Sequence, residues 1–259
     1  MTRLALERVS FWYPATDLPA LEDVSLEVGG GEIVALVGRV GAGASSVLLV
    51  AADLAPRVTG GRLRGRVALT GGRRGLVLAS PWTQLSGMAF TVWDEVAFGP
   101  ANLGWPRDEI TQHVERALTR LGIAALRARD PATVSGGELA RVMLAGILAM
   151  DPAVLLCDEP TGALDPVGAR EVWRLLRALA DEGRAVLVAT SDLDAAAAAA
   201  DRVVWLERGR VAGAGPRALL ADEATCAAGL GTSVASVWRA AGLALPYPAT
   251  VAEALARWR

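Results

Sequence analysis

Among 259 residues there is no lysine, and all 26 basic side chains are arginines. So complete a bias weakens any single missing lysine as a signal. Cysteine is scarce: Cys157 and Cys226 are the only two, too few and too far apart for a disulfide framework or a thiolate metal site. Cys157 sits inside an apolar run and is expected to be a buried free thiol. Charge of one sign is lacking too, with a formal net charge of -2. That near balance argues against nucleic acid and against an anionic membrane surface as electrostatic partners. No uninterrupted apolar stretch reaches the roughly 20 residues that span a bilayer, and the N-terminus carries no signal-peptide pattern. The expectation is a cytoplasmic chain, or one docked to a membrane through a partner.

What is abundant is apolar: 53% of the residues are hydrophobic, many of them alanine. That suffices for one large core, or for one domain with a small appendage. Leu4 to Trp12 and Leu21 to Val28 alternate apolar and polar residues, as half-buried strands do. Ile33 to Val37, Val154 to Cys157 and Ala185 to Ala189 are apolar without alternation, which predicts central strands covered on both faces. Gly75 to Leu78 reads as a further short strand. Helical patterns fill Ser45 to Leu54, much of 88–150, and the stretch from Pro166 to about Glu182. Arg202 to Leu206 and Val211 to Ala214 read as a closing hairpin around Gly209. Strands alternating with helices predict an α/β fold with a mainly parallel sheet.

Three segments carry chemistry. The first is Gly38-Arg39-Val40-Gly41-Ala42-Gly43-Ala44-Ser45-Ser46, between a buried strand and a helix. Its glycines let backbone N–H groups converge on phosphate oxygens, and the helix start adds a favourable dipole. Ser45 is placed to ligate Mg²⁺ and Ser46 to reach a phosphate. The complete pattern has a lysine where Ala44 stands. Arg39 precedes the tip of the loop, and a planar guanidinium does not replace a point charge. The second segment ends the apolar strand in Asp158 and Glu159. Asp158 suits Mg²⁺; Glu159 suits a general base polarising water. The third, Val134-Ser135-Gly136-Gly137-Glu138, opens a helix. By itself it reads as an ordinary capping box; in company with the other two it reads as a second anion-binding helix start.

In this order and at these separations, the segments resemble the ATPase subunits of ABC transporters over nearly the whole chain. Gly38 to Ser46 matches the family's Walker A loop and Val154 to Glu159 its Walker B. Val134 to Glu138 matches the signature motif and Leu164-Asp165 the D-loop. Tyr13 falls where the family stacks an aromatic on adenine. Val92 to Gly104 is similar to the helical subdomain of energy-coupling-factor (cobalt-type) transporter ATPases, and Ala241 to Pro246 to their C-terminal region. The resemblance implies a P-loop NTPase core over residues 1–84 and 151–225, with an antiparallel β part at its N-terminal end and an inserted helical subdomain over 85–150. Residues 226–259 would form a dimer-associated tail. It also implies ATP and Mg²⁺ as cofactors, a second ABC ATPase and an integral membrane subunit as partners, and a peripheral place on the cytoplasmic face of the membrane. A non-transport regulatory ABC protein is the alternative.

Against that pattern three positions are altered. The lysine of the phosphate loop is Ala44, the Q-loop glutamine falls at Ala79, and the switch histidine falls at Ser191. The one histidine, His113, belongs to the helical subdomain and reads as a solvated helix residue. Compositional bias accounts for a lost lysine but not for a lost glutamine and histidine as well. In this family two subunits pair head to tail, each ATP lying between one Walker face and the other's signature. The expectation is therefore a heterodimer in which this chain's own site is impaired. Its intact Ser135, Gly136 and Gly137 would complete the partner's.

Overall fold

The three uninterrupted apolar runs become neighbouring parallel strands. The computed structural model describes residues 2–257; residue 1 and residues 258–259, which belong to the expected ranges above, lie outside the described residues. The elements in the first half are β1 (Arg3–Trp12), β2 (Leu21–Gly29), β3 (Ile33–Gly38), α1 (Ala44–Ala51), β4 (Arg62–Thr70), β5 (Arg74–Val77), α2 (Val92–Asn102) and α3 (Arg107–Arg120). There follow α4 (Gly136–Ala149), β6 (Val154–Asp158), α5 (Pro166–Asp181), β7 (Ala185–Ala189), α6 (Leu193–Ala199), β8 (Arg202–Glu207) and β9 (Arg210–Pro216). Three short helices close the chain: α7 (Glu223–Ala227), α8 (Ser233–Ala240) and α9 (Val251–Arg257).

The larger sheet has the order β5-β6-β7-β3-β8-β9. Its strands pair in parallel except at the β8–β9 hairpin. The smaller sheet, β2-β1-β4, is antiparallel. The larger sheet is buried on both faces, which is why its strands show no polar alternation. Ile33, Ala35, Val37, Leu155, Cys157, Val186 and Val188 point to one side, among helices. Val34, Leu36, Leu156 and Leu187 point to the other, where α1 and the antiparallel sheet cover them. Helices α2, α3 and α4 pack on one another through Val96, Val114, Leu118, Leu139 and Val142, all fully buried.

Strand β4 escaped the sequence reading. Its Arg62, Arg64 and Arg66 alternate outward, but Gly65 breaks the pattern at a positive φ of 88°. There the ladder with β1 shifts register between Glu7 and Ser10, as at a bulge on an edge strand. Helix α1 also stops short of the predicted Leu54, because Asp53 adopts a left-handed φ of 63°. His113 is half-buried on α3, its ring edge-on to Trp105 at 4.8 Å.

Both cysteines are buried and free. Burial pushes both thiols above their ordinary range, so neither is a thiolate at neutral pH. A thiol reagent at pH 8 is expected to leave both unmodified in the native protein and to label both in denaturant. Rapid native labelling of Cys157 would show that β6 is not an interior strand.

Candidate nucleotide-binding site

The site begins where β3 ends. Gly38 lies so close to β8 that a Cβ there would stand 2.6 Å from the Leu206 carbonyl oxygen. This contact admits no side chain and fixes the exit direction of the loop. Gly41 and Gly43 follow at φ 83° and 106°, turning the backbone into α1. No side chain caps α1, whose N-cap is Gly43 itself. Its first N–H groups therefore remain available to an anion.

Asp158 ends β6 beneath this loop, only 9% exposed. Burial raises its carboxyl above the usual carboxylate range, and a hydrogen bond from the Ser45 hydroxyl offsets part of the rise. Glu159 leaves the strand at a left-handed φ of 44°. Its N–H donates to the Ala189 carbonyl at 2.9 Å, and its own carbonyl accepts from the Gly162 N–H at 3.0 Å. Those two bonds hold a backbone conformation that a glutamate rarely adopts. Burial also raises the Glu159 carboxyl; hydrogen bonds from Ser191, side chain and backbone, and from Thr190 oppose it.

These segments close on one cleft of about 460 Å³. Its lining brings together Tyr13, Gly38, Gly41, Gly43, Ala44, Ser45, Ser46, Ala79, Asp158, Glu159 and Ser191. Thr190 lines it as well and was missed from sequence; its place directly after an apolar strand was the only signal. The Tyr13 hydroxyl lies 3.1 Å from the Ser46 hydroxyl, and its ring meets Phe11 edge-on at 4.8 Å. Tyr13 thus ties the end of β1 to the first turn of α1. Ser135, Gly136 and Gly137 lie outside this cleft. Ser135 caps α4 in a complete capping box: its hydroxyl accepts from the Glu138 N–H, and Glu138 accepts from the Ser135 N–H at 2.7 Å. Ser135 is exposed, and a Cβ on Gly136 would meet only open space.

Among the described residues that line the cleft there is no lysine, glutamine or histidine. Gln84, close in sequence to Ala79, is spent locally: its amide donates to the Leu76 carbonyl and accepts from the Leu78 N–H, both at 2.8 Å. Arg39 donates to the Ala228 carbonyl at 2.9 Å, on the outer side of the loop. The Ser45 hydroxyl and the Asp158 carboxylate are hard oxygen donors suited to Mg²⁺. Among the described residues no group of three His, Cys, Asp or Glu could hold a metal alone. An ion here would draw its remaining ligands from phosphate and water, as Mg²⁺ commonly does.

The raised Asp158 carboxyl has a stability consequence. Because its folded pKa exceeds its unfolded one, the native state holds this proton more tightly. Native stability therefore falls as pH rises from the ordinary carboxylate range through the raised value, and the penalty persists at neutral pH. Asp158→Asn is expected to raise Tm of the ligand-free chain at pH 7 by about 2–4 °C. The gain should shrink as pH falls towards 4. Thermal melts across that range check it, and a Tm that drops at pH 7 contradicts it.

The sequence model of the ABC transporter family matches residues 21–162. A cobalt import ATP-binding protein, CbiO, from Rhodobacter capsulatus is 42% identical over 236 residues, covering 87% of this chain and 83% of its own length. An energy-coupling factor transporter ATP-binding protein from Methanospirillum hungatei is 37% identical, over 82% of this chain and 55% of its length. A putative ABC transporter ATP-binding protein from Methanosarcina acetivorans is 39% identical, over 81% of this chain and 36% of its length. The chain thus spans about a third to a half of the length of several relatives it matches. Among solved structures, CbiO1 from Clostridium perfringens, part of the ABC transporter complex CbiONQ, aligns with a TM-score of 0.74 and 27% identity. That alignment covers 93% of this chain and 98% of the other. A dimeric ATP-binding cassette bound to ADP and Pi aligns with a TM-score of 0.72 and 24% identity, over 83% of this chain and 98% of that one. A family match over more than half the chain, and relatives of this identity along most of it, mean that the chain belongs to the ABC transporter family.

Proposed function

We propose that this chain is the ATP-binding subunit of an energy-coupling-factor or cobalt-type membrane transporter, acting in a heterodimer with a second ABC ATPase. The observation that carries this reading is the separation of two glycine-rich helix starts on one chain: Gly38–Ser46 line the cleft, and the exposed helix start at Ser135–Gly137 lies outside it. Paired head to tail, such chains form composite sites. Here the cleft lacks a cation, a glutamine and a histidine at Ala44, Ala79 and Ser191, whereas Ser135, Gly136 and Gly137 keep the full signature.

The chain's parts have separate roles in this proposal. Residues 1–84 and 151–225 form the nucleotide-binding core, 85–150 the helical subdomain, and 226–259 a dimer-associated tail. Within and near the helical part, Trp82, Met88 and Phe90 are 51%, 73% and 88% exposed. Apolar side chains gathered in one exposed stretch suit a docking face, and an integral membrane subunit is the fitting partner. No helix among the described residues is long and apolar enough to cross a membrane; the proposed place, peripheral on the cytoplasmic face, follows from the proposed membrane partner.

Ser45 and Asp158 would hold Mg²⁺, which would supply charge neutralisation at the terminal phosphate. Glu159 is placed to polarise the attacking water. Ser191 and Thr190 donate to its carboxylate and so orient it, while weakening it as a base. Loss of one charge-assisted contact costs about 1.5–3 kcal/mol, roughly 10- to 150-fold in affinity. Loss of one transition-state donor costs about 10²–10³ in rate. Binding with little hydrolysis follows for this chain's own site.

The isolated chain is expected to hydrolyse Mg-ATP at least about 100-fold more slowly than an assembly containing the partner ATPase. Within that assembly, Gly137→Asp in this chain should abolish most of the activity by spoiling the partner's site. Glu159→Gln should change little. Steady-state phosphate release from co-purified complexes measures both. Ordinary rates from the chain alone, lost on Glu159→Gln, would point to a competent homodimer instead.

A further inference from the structure

We infer that this cleft accepts a nucleoside triphosphate only as its divalent-metal complex, so that the metal is a condition of binding and not merely of hydrolysis. The inference rests on the nucleotide role proposed above and concerns which ionic form of the nucleotide the cleft selects.

Among the described residues lining the cleft, the acidic and basic side chains are Asp158, Glu159 and Arg39. The two carboxylates face the space where the terminal phosphates would lie, beneath the loop and at the ends of β6 and β7. The guanidinium does not face it. Arg39 donates to the Ala228 carbonyl at 2.9 Å and lines a neighbouring cleft of about 320 Å³, together with Arg208 and Glu207. The guanidinium of the loop's one basic residue is thereby bound to the C-terminal segment, while both acidic side chains of the lining belong to the cleft. Ala44 offers a methyl group where a cation would balance the carboxylates. The loop N–H groups are neutral dipoles. They favour an anion, but they leave uncancelled the repulsion between a polyphosphate and two carboxylates a few ångströms away.

An ordinary phosphate loop keeps a lysine that attracts the polyphosphate with or without metal. Among the described residues lining the cleft there is no such lysine, and a divalent ion held by Asp158 and Ser45 would supply the missing positive charge. The metal ligand is thus at the same time the barrier to metal-free nucleotide. Asp158 has two opposed effects, attracting the complex and repelling the bare anion. A group serving only as a metal ligand would show the first effect alone.

That opposition makes the inference testable by binding alone. Isothermal titration of the purified chain with ATP, once in Mg²⁺ and once in EDTA, is expected to give at least about 100-fold weaker binding in EDTA. Ala44→Lys should restore EDTA binding to within about tenfold of the Mg²⁺ value. Asp158→Asn should weaken Mg-ATP yet tighten metal-free ATP by about tenfold or more, with thermal melts confirming that both variants are folded. Wild-type affinities that agree within about threefold in the two buffers overturn the inference and leave the nucleotide role standing. Metal-free affinity unmoved by Asp158→Asn overturns it as well. No binding of ATP in either buffer removes the nucleotide role itself, and this inference with it.

Discussion

The arrangement of the cleft depends on the parallel register between β6 and β7 and on its continuation one residue further. Asp158 pairs with Ala189 at the last rung. The ladder then extends as the Glu159 N–H reaches back to the Ala189 carbonyl. This extension holds Glu159 in a left-handed turn, which aims its carboxylate across the sheet towards Thr190 and Ser191. It also leaves Asp158 pointing at the loop above. A slip of one residue would exchange the two faces of the strand. Asp158 would then be buried among the apolar residues beneath, and Glu159 would lose its donors. The chemistry of the site is therefore a property of strand pairing before it is a property of any side chain.

Around that frame the loop keeps its backbone geometry, and in the function proposed above the short side chains of Ala44, Ala79 and Ser191 leave out what longer ones would supply. Gly38, Gly41 and Gly43 are held by close packing and positive φ values, and the uncapped start of α1 remains open. The altered positions are all side-chain tips that would converge on a terminal phosphate. Such a division separates holding a nucleotide from reacting it. Backbone dipoles serve the first, whereas the second needs charge placed where the transition state develops it. Conversely, the acids retained at the floor are buried at some cost to the free protein, a pattern found where function takes precedence over stability.

Much of this was legible in the sequence because the strongest signals are local. Unbroken apolar runs predicted the central strands, since a sheet covered on both faces leaves no polar alternation to confuse the pattern. The glycine-rich loop and the helix start at Ser135 stood out only in company with the paired acids, through their common order and separations. What stayed hidden was non-local. Strand β4 is an edge strand broken by Gly65, and its identity depends on pairing with β1 more than fifty residues earlier. Thr190 acts because β7 lies beside β6, which its neighbours in sequence do not reveal. Arg39 could be judged only by its position in the loop; that its guanidinium is turned outward and bonded to Ala228 depends on where the C-terminal segment passes. Likewise, the Tyr13 hydroxyl on Ser46 is visible only once β1 and α1 have met.

The capping box at α4 has a further implication. In the free chain the Ser135 oxygen already accepts the Glu138 N–H, so one of its lone pairs is engaged. Its hydrogen is then the atom most free to make a new bond. The serine is thereby biased to present a donor outward, and to greet an approaching acceptor rather than a cation. Reaching for a neighbour's phosphate would not require α4 to surrender its cap. The same hydroxyl can stabilise its own helix and extend a hand to another molecule at once, so gripping and releasing leave the helix end intact.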